Sequence, residues 1–268
     1  MSDGGRELRT TVVTGARSGI GQAVATLLQE RGERVLGIDL ADCTISADLS
    51  IPEGRALAIA EVRSFCPDGL DALIECAGLA THDGPNVVSV NYFGTVTLAE
   101  GLRPLLAMGQ SPRAVLVSSS ASFLPFDEAI VEACLAGDES RARTHASSAT
   151  RDEAITRQGA IYAASKRALT RWIRRNAPRA EWAGAGILLN GVSPGLVVTP
   201  MTAPLLATEE GRKVLGQAVP RAVSNPADPR DLALLIAFVA SADNRYLVGQ
   251  VPYCDGGTDV LMRGDEIV

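Results

Sequence analysis

Strand-like and helix-like patterns alternate along the whole chain. Seven short apolar runs predict buried β-strands, and stretches with apolar residues at helical spacing separate them. We therefore predict a single α/β domain over residues 1–268, a doubly wound Rossmann-type parallel sheet with helices on both faces. The strands are predicted near 12–14, 34–39, 44–49, 70–76, 114–118, 186–192 and 249–253, and the longest helices at 87–106, 161–176 and 229–240.

One segment interrupts this alternation between residues 122 and 159, where Ala, Glu, Arg and Ser predominate. Two short helices are predicted at 128–136 and 139–149, joined at Gly137. A segment of this length within a compact domain is usually functional or disordered. We interpret it as a helical insertion with edges near Phe126 and Gln158, and its many charges predict that it lies on the surface rather than in the core.

The first strand runs into a glycine-rich turn. Gly15, Gly19 and Gly21 follow the spacing G-x-x-x-G-x-G, and a helical stripe follows them. Such a turn lets a ligand approach the backbone, and the N-terminus of the next helix attracts an anion. The second strand ends at Asp39, where an acidic residue binds the ribose hydroxyls of a dinucleotide. A carboxylate repels a 2′-phosphate, so this predicts NAD, although Arg17 would serve a phosphate or face solvent.

Composition excludes several classes of protein. A net charge of −6 argues against a nucleic-acid partner, and two histidines without a Cys/His cluster argue against a metal site. Five cysteines without paired short spacings are typical of reduced thiols in an intracellular protein. Neither a targeting leader nor an apolar run long enough to span a membrane is recognisable. The sequence therefore predicts a cytoplasmic protein.

Three positions carry candidate chemistry. Tyr162 and Lys166 lie four residues apart, on one face of a predicted helix. A nearby cation lowers the pKa of a tyrosine, ordinarily about 10, so that Tyr162 can act as an acid or base; an ordinary surface pair is the alternative. Serines 118–120 follow the fifth strand, where a hydroxyl can stabilise a carbonyl oxygen or simply form a turn. Asn91 lies mid-helix, where it holds a water or backbone group or faces solvent.

These motifs occur in the order found in the short-chain dehydrogenase/reductase family, which the chain resembles from about Thr10 to Gly257. The glycine turn, Cys-Ala-Gly at 76–78, Asn91, Val-Ser-Ser at 117–119, the Tyr-x-x-x-Lys pair and Pro-Gly at 194–195 carry the resemblance. Within the family, the chain most resembles the bacterial 3α-hydroxysteroid dehydrogenase/carbonyl reductase group. The resemblance implies hydride transfer between NAD and a secondary alcohol or ketone.

The resemblance also implies a role for each matching residue. Tyr162 resembles the general acid/base, and Lys166 the residue that lowers its pKa and binds the nicotinamide ribose. Ser119 resembles the donor to the substrate carbonyl, and Asn91 the residue that holds a proton-relay water. The implied coenzyme contacts lie on the glycine turn, the adenine side, the loop after the fourth strand and the segment beyond the sixth: Gly15, Arg17, Ser18, Gly19, Ile20, Gly21, Asp39, Asp48, Leu49, Cys76, Ala77, Gly78, Tyr162, Lys166, Pro194, Gly195, Val197 and Thr199.

One position departs from the family pattern. Where Asn-Asn-Ala-Gly is usual, this chain has Glu75-Cys76-Ala77-Gly78. The support that the first asparagine gives is lost, so we expect the coenzyme loop to be braced in another way. The hydroxysteroid group also has a cysteine here, so the departure does not indicate an inactive protein.

Three functions remain open. The first is a dehydrogenase or reductase acting on a cyclic hydrophobic substrate such as a 3-hydroxysteroid. The second is a reductase of a 3-oxoacyl thioester or a sugar. The third is a non-catalytic dinucleotide sensor, which would not need Asn91, Ser119, Tyr162 and Lys166 together. Apolar residues expected near the crevice favour the first, although a buried loop would use the same types: Leu79, Phe123, Leu124, Val197, Met201, Leu205 and Leu206.

The insertion also bears on assembly. Members of the family commonly form tetramers, and one interface packs the helix with the Tyr-x-x-x-Lys pair against its symmetry mate. A folded insertion just before that helix would occupy the same space, twice in a symmetric contact. We therefore predict a homodimer through the other interface, formed by the helix at 229–240 and the strand near 250–253. The alternative is a mobile flap that covers the substrate and leaves a tetramer intact.

Overall fold

The computed structural model of the chain describes residues 8–147 and 154–265. Within these ranges, seven strands form one sheet in the order β3-β2-β1-β4-β5-β6-β7, and each neighbouring pair is parallel. The predicted doubly wound sheet is thus confirmed. The strands are β1 (Thr10–Thr14), β2 (Arg34–Asp39), β3 (Ile45–Ser46), β4 (Ala72–Glu75), β5 (Arg113–Val117), β6 (Leu188–Pro194) and β7 (Tyr253–Cys254).

Helices cover both faces of the sheet. On one face α1 and α10 pack over a cluster that includes Val13, Val24 and Ile236. On the other face α2, α4 and α7 pack over a larger cluster that includes Leu73 and Leu169. The helices are α1 (Gly19–Glu30), α2 (Pro52–Phe65), α3 (Gly84–Val88), α4 (Thr95–Leu106), α5 (Glu128–Leu135), α6 (Glu139–Ser147), α7 (Ala154–Asn176), α8 (Ala203–Leu206), α9 (Glu209–Ala218), α10 (Pro229–Ala240) and α11 (Thr258–Arg263).

The helix predicted at 87–106 differs from a regular α-helix. It begins at Gly84, and Ser89–Gly94 between α3 and α4 forms a π-helix. All six residues of this π segment are buried. Short π segments inside α-helices are frequent at functional sites, because the extra residue per turn re-aims a side chain. Here Asn91 lies in the middle of the segment.

The insertion folds as the two predicted helices, α5 and α6, with Gly137 between them in the left-handed region at φ +73°. The predicted end of the second helix, at residue 149, lies outside the described residues. The prediction that the segment avoids the core is wrong in part. α5 places Ile130 and Val131 in the larger core cluster, and α6 adds Ala142, while charged side chains occupy the outer faces. An apolar face this short is hard to recognise in a sequence segment with so many charged residues.

Candidate active site

The glycine turn joins β1 to α1 at the point where the strand order reverses, between β1 and β4. A Cβ on Gly21 would collide with the carbonyl oxygen of Gly15, so the turn tolerates no side chain there. Ser18 is the N-cap residue of α1, but its side chain makes no cap hydrogen bond. Its hydroxyl and the first amides of α1 therefore form a cradle that fits a pyrophosphate.

A cavity of about 670 Å³ opens beside this turn, at the carboxyl ends of the strands. Its wall contains Ser119 and all the residues expected to contact the coenzyme except Arg17. Asn91 is not part of the wall either. Residues that the sequence reasoning did not select also contribute, among them Ser50, Gln158, Leu215 and Val219.

Asp39 is held in place at the end of β2. Its carboxylate accepts a hydrogen bond from the Arg17 amide at 3.0 Å and another from the Leu40 amide at 2.8 Å. The Arg17 guanidinium pairs with Asp42 at 3.2 Å. The cavity therefore presents a carboxylate where a ribose diol would bind, and the nearby positive charge is paired elsewhere.

Tyr162, Lys166 and Ser119 meet at the other end of the cavity. Ser119 and Tyr162 both line the cavity, close enough for the serine hydroxyl to influence the phenol. The Lys166 ammonium lies 6.0 Å from the Tyr162 ring centroid and donates to the Val117 carbonyl at 2.9 Å. The helical spacing thus brings phenol and ammonium to one place, and β5 brings the serine to both.

Burial controls the charge states of this group. It raises the pKa of Tyr162, and the Ser119 hydroxyl opposes that shift. It also lowers the pKa of Lys166 to about 8, against the attraction of Cys76 and Glu75. The expectation that the pKa of Tyr162 lies below 10 is therefore wrong for the chain by itself, because desolvation of the phenolate has the largest effect on it.

Two side chains, those of Asn91 and Thr14, brace the loop after β4. Asn91 accepts a hydrogen bond from the Leu79 amide at 2.7 Å and donates to the Leu79 carbonyl at 2.9 Å. Its amide nitrogen also lies 3.1 Å from the Ser165 hydroxyl. The Thr14 hydroxyl accepts from the Ala77 amide at 3.0 Å. These bonds provide the alternative bracing that the departure from Asn-Asn-Ala-Gly required.

Glu75, which stands where the family pattern has its first asparagine, is 2 % exposed at the end of β4. Its carboxylate oxygens have no hydrogen-bond partner within the part of the chain that the structure describes. Burial raises its pKa well above the usual range, and the positive charge of Lys166 only partly opposes this. Burial therefore favours the neutral, protonated form of Glu75.

Apolar side chains line the part of the cavity beyond Tyr162. Of the seven expected residues, Leu79, Leu124, Val197, Met201 and Leu205 line it, whereas Phe123 and Leu206 do not. The Phe123 ring instead packs edge-on against Tyr253, 5.6 Å between centroids, with the Arg263 guanidinium 5.0 Å away.

Gln158 closes this wall from α7, donating to the Ala80 carbonyl at 3.1 Å. The sequence marked it only as an edge of the insertion, since a lone glutamine carries no motif.

Two further searches cover the described residues alone. Across 8–147 and 154–265, no group of three or more His, Cys, Asp and Glu residues could hold a metal ion. Within the same ranges, none of the helices has the length and apolar character needed to cross a bilayer.

Comparison with known proteins agrees with this geometry. A family model described as enoyl-(acyl carrier protein) reductase matches residues 128–259. The 3-alpha-hydroxysteroid dehydrogenase/carbonyl reductase of Comamonas testosteroni is 39% identical over 94% of this chain and 97% of its own length. The coniferyl-alcohol dehydrogenase of Pseudomonas sp. is 30% identical, over 92% of this chain and 94% of its own length.

A crystal structure extends the likeness to three dimensions. The 3-alpha-hydroxysteroid dehydrogenase from Pseudomonas sp. B-0831, complexed with NADH, superposes with a TM-score of 0.87 and is 39% identical. The match covers 96% of this chain and all of that one, 100%. The chain therefore belongs to the short-chain dehydrogenase/reductase family of NAD(P)-dependent oxidoreductases that act on CH–OH groups.

Proposed function

We propose that this protein is an NAD-dependent dehydrogenase that interconverts secondary alcohols and ketones of cyclic hydrophobic molecules such as 3-hydroxysteroids. One observation carries the proposal. The hydroxyl groups of Tyr162 and Ser119 line the same cavity as a wall of apolar side chains. A ketone oxygen can reach both hydroxyls while an apolar ring system packs on the wall. The relatives named 3-alpha-hydroxysteroid dehydrogenase support the same substrate class.

Each polar group then has a task. Bound NAD supplies the site where hydride is accepted or released. Tyr162 moves the proton at its phenolic oxygen, and Ser119 donates a hydrogen bond to the substrate oxygen as charge develops. Lys166, anchored on the Val117 carbonyl, provides the buried positive charge that favours the phenolate. Asn91, in the π segment, holds the loop through Leu79 and would hold a proton-relay water.

The preference for NAD rests on Asp39. Its carboxylate is fixed by two backbone amides, and an added 2′-phosphate would face that negative charge. Arg17, the cation that would bind the 2′-phosphate, is paired with Asp42. The remaining predicted contacts follow the cavity wall: the turn binds the pyrophosphate, 48–49 the adenine, and 194–199 the carboxamide and pyrophosphate.

The other functions have weaker support. A sugar would leave hydroxyls against the apolar wall without partners. A 3-oxoacyl thioester presents a flexible chain, for which a wall suited to a rigid ring system offers no advantage. A dinucleotide sensor would not need Tyr162, Ser119 and a buried Lys166 together in one cavity.

A homodimer through α10 and β7 is part of the proposal. The insertion covers α7: Glu128 pairs with Arg171 at 3.2 Å, and the Arg167 guanidinium lies 5.5 Å from the Phe126 ring centroid. By contrast, Leu234 on α10 is exposed. Light scattering should give a dimer, and a stable tetramer would contradict the blocking role. We also infer a cytoplasmic location, which suits the thiols of Cys43 and Cys254.

A substrate screen tests the proposed function. Purified protein with NAD is offered a set of hydroxysteroids, with NADH and small ketones for the reverse direction, and NADH absorbance is followed. We expect 3-hydroxysteroids to give the highest kcat/KM. Turnover confined to 3-oxoacyl thioesters or sugars would support the second function instead, and NADH binding without turnover of any alcohol or ketone would support the sensor.

A further inference from the structure

The insertion reaches the coenzyme cavity through one carboxylate. Glu139, in the first turn of α6, accepts hydrogen bonds from Arg55 Nη1 and Nη2, each at 2.7 Å. The Ser89 hydroxyl donates to the same carboxylate at 2.7 Å. The Arg55 side chain is 4% exposed and that of Glu139 is 23% exposed. This bidentate pair is therefore largely shielded from solvent, where charge-assisted hydrogen bonds are strong.

Arg55 also holds the loop on the adenine side of the cavity. Its Nε donates to the Leu49 carbonyl at 2.8 Å, and its Nη2 donates to the Ser50 carbonyl at 3.1 Å. Asp48, Leu49 and Ser50 all line the cavity. One guanidinium thus joins the cavity wall to the insertion. If this guanidinium moves, the loop loses the hydrogen bonds that hold it.

The same network includes the π segment. Arg55 Nη2 donates to the Ser89 carbonyl at 3.3 Å, and Arg143 of α6 donates to the Ser89 hydroxyl at 2.6 Å. The fit is close, because a Cβ on Gly84 would collide with the carbonyl oxygen of Ala146. The insertion is therefore packed against the elements that carry Val90 and Asn91, rather than lying loosely over them.

The network favours the charged form of the Glu139 carboxylate. Burial acts to raise the pKa of Glu139, but the hydrogen bonds and charges of Arg55, Ser89 and Arg143 lower it overall. Removing one member of such a pair leaves the other charge buried without compensation. Arg55 would then have to move toward water or toward other acceptors, and the carbonyls at Leu49 and Ser50 would lose their donor.

We propose that Glu139 is a positioning residue for the adenine half of the coenzyme, acting through Arg55 on the loop at 48–50. This inference rests on the proposed function, because it takes that loop as the adenine contact. The insertion is then a fixed part of the coenzyme site as well as a barrier to one mode of assembly.

The test uses Glu139→Gln in the full chain, with Glu132→Gln as the control. Glu132 lies in α5 and is exposed, so the same change in the same insertion removes no buried pair. Three quantities are measured: the Kd of NADH by fluorescence, the inhibition constant of AMP, and turnover with reduced nicotinamide mononucleotide, which lacks the adenine half. For Glu139→Gln we expect the first two to rise at least about fivefold together, and turnover with the mononucleotide to stay unchanged.

A second variant protects the test from a folding defect. Arg55→Lys keeps the charge but loses the bidentate geometry, so we expect a smaller rise in the Kd of NADH and the inhibition constant of AMP. Unchanged values in both variants would overturn the proposal. An equal loss with the mononucleotide would also overturn it, because the role would then be general to the fold. If the unmodified protein itself fails to bind NADH or AMP, the coenzyme site fails and the inference falls with it.

Discussion

The two ends of the cavity are built differently. At the adenine end, Arg55 donates hydrogen bonds to both carboxylate oxygens of Glu139 and to the carbonyls of Leu49 and Ser50. At the reaction end, two buried ionisable groups have few partners: Lys166 donates to the Val117 carbonyl, and the Glu75 oxygens have no partner among the described residues. The pKa of Glu139 is lowered, whereas burial raises that of Glu75 and that of Tyr162.

This difference follows from what each end must do. Polar groups whose hydrogen bonds are satisfied keep a fixed charge and a fixed geometry, which suits binding. Groups with few partners in a buried place have shifted pKa values and change protonation more readily, which suits proton transfer. Changes at the reaction end should therefore affect turnover and pH dependence, and changes at the adenine end should affect coenzyme affinity.

The largest effect is expected at Tyr162. Tyr162→Phe removes the proton that is transferred and keeps the ring, so turnover should fall by a factor of about 10² or more while NADH affinity changes little. Tyr246→Phe makes the same change at a side chain that is 97% exposed, and it should leave turnover unaltered. Near-normal turnover in Tyr162→Phe would contradict its role as acid/base.

Lys166 should link the two properties. Lys166→Ala removes the cation that favours the phenolate, so turnover should fall, coenzyme should bind more weakly, and the pH–rate profile should move to higher pH. Burial holds the pKa of Lys166 at about 8, so the unmodified enzyme should also lose this cation as the pH rises through that value. A pH–rate profile that is identical in the variant would remove Lys166 from the proton chemistry.

Asp39 should govern coenzyme choice with a smaller effect. We expect the unmodified protein to prefer NAD(H) over NADP(H) by at least about tenfold in kcat/KM, or about 1.4 kcal/mol, and Asp39→Ala to reduce that preference. Asp68→Ala, at an exposed carboxylate outside the cavity wall, is the control. If the unmodified protein uses both coenzymes equally, Arg17 rather than Asp39 dominates.

Glu75 should affect stability before it affects activity. Its pKa is raised in the folded chain, so above the usual range for glutamate, about 4.3, the unfolded chain releases a proton that the folded chain keeps. Stability from this group is then lost as the pH rises. Glu75→Gln should remove that loss. The free energy of unfolding of the variant, measured with urea, should therefore exceed that of the unmodified protein by an amount that grows with pH, by at most about 1.4 kcal/mol per pH unit. A pH-independent difference would show that Glu75 is ionised in the fold.

The parts that could be predicted from sequence are those with local patterns. The glycine turn, Asp39 and the pair of Tyr162 and Lys166 are set by spacing within one strand or helix, and the structure brings them to one cavity. The contact between Arg55 and Glu139 joins residues 84 positions apart, and no local pattern marks it. The raised pKa of Tyr162 could not be predicted from the sequence, because burial depends on how distant elements pack.

The insertion shows the same limit. Its two helices and the glycine between them follow from composition, but its buried face depends on α7 and the π segment. A short apolar stripe such as that at Ile130 and Val131 is informative only when the surface that covers it is known.

The most direct test of the account is a parallel measurement of kcat and the Kd of NADH in Tyr162→Phe and Glu139→Gln. We expect opposite results: Tyr162→Phe loses turnover and keeps its affinity, whereas Glu139→Gln loses affinity and keeps kcat at saturating NADH. Two variants that lose both properties in proportion would contradict the division of the cavity into a reaction end and a binding end.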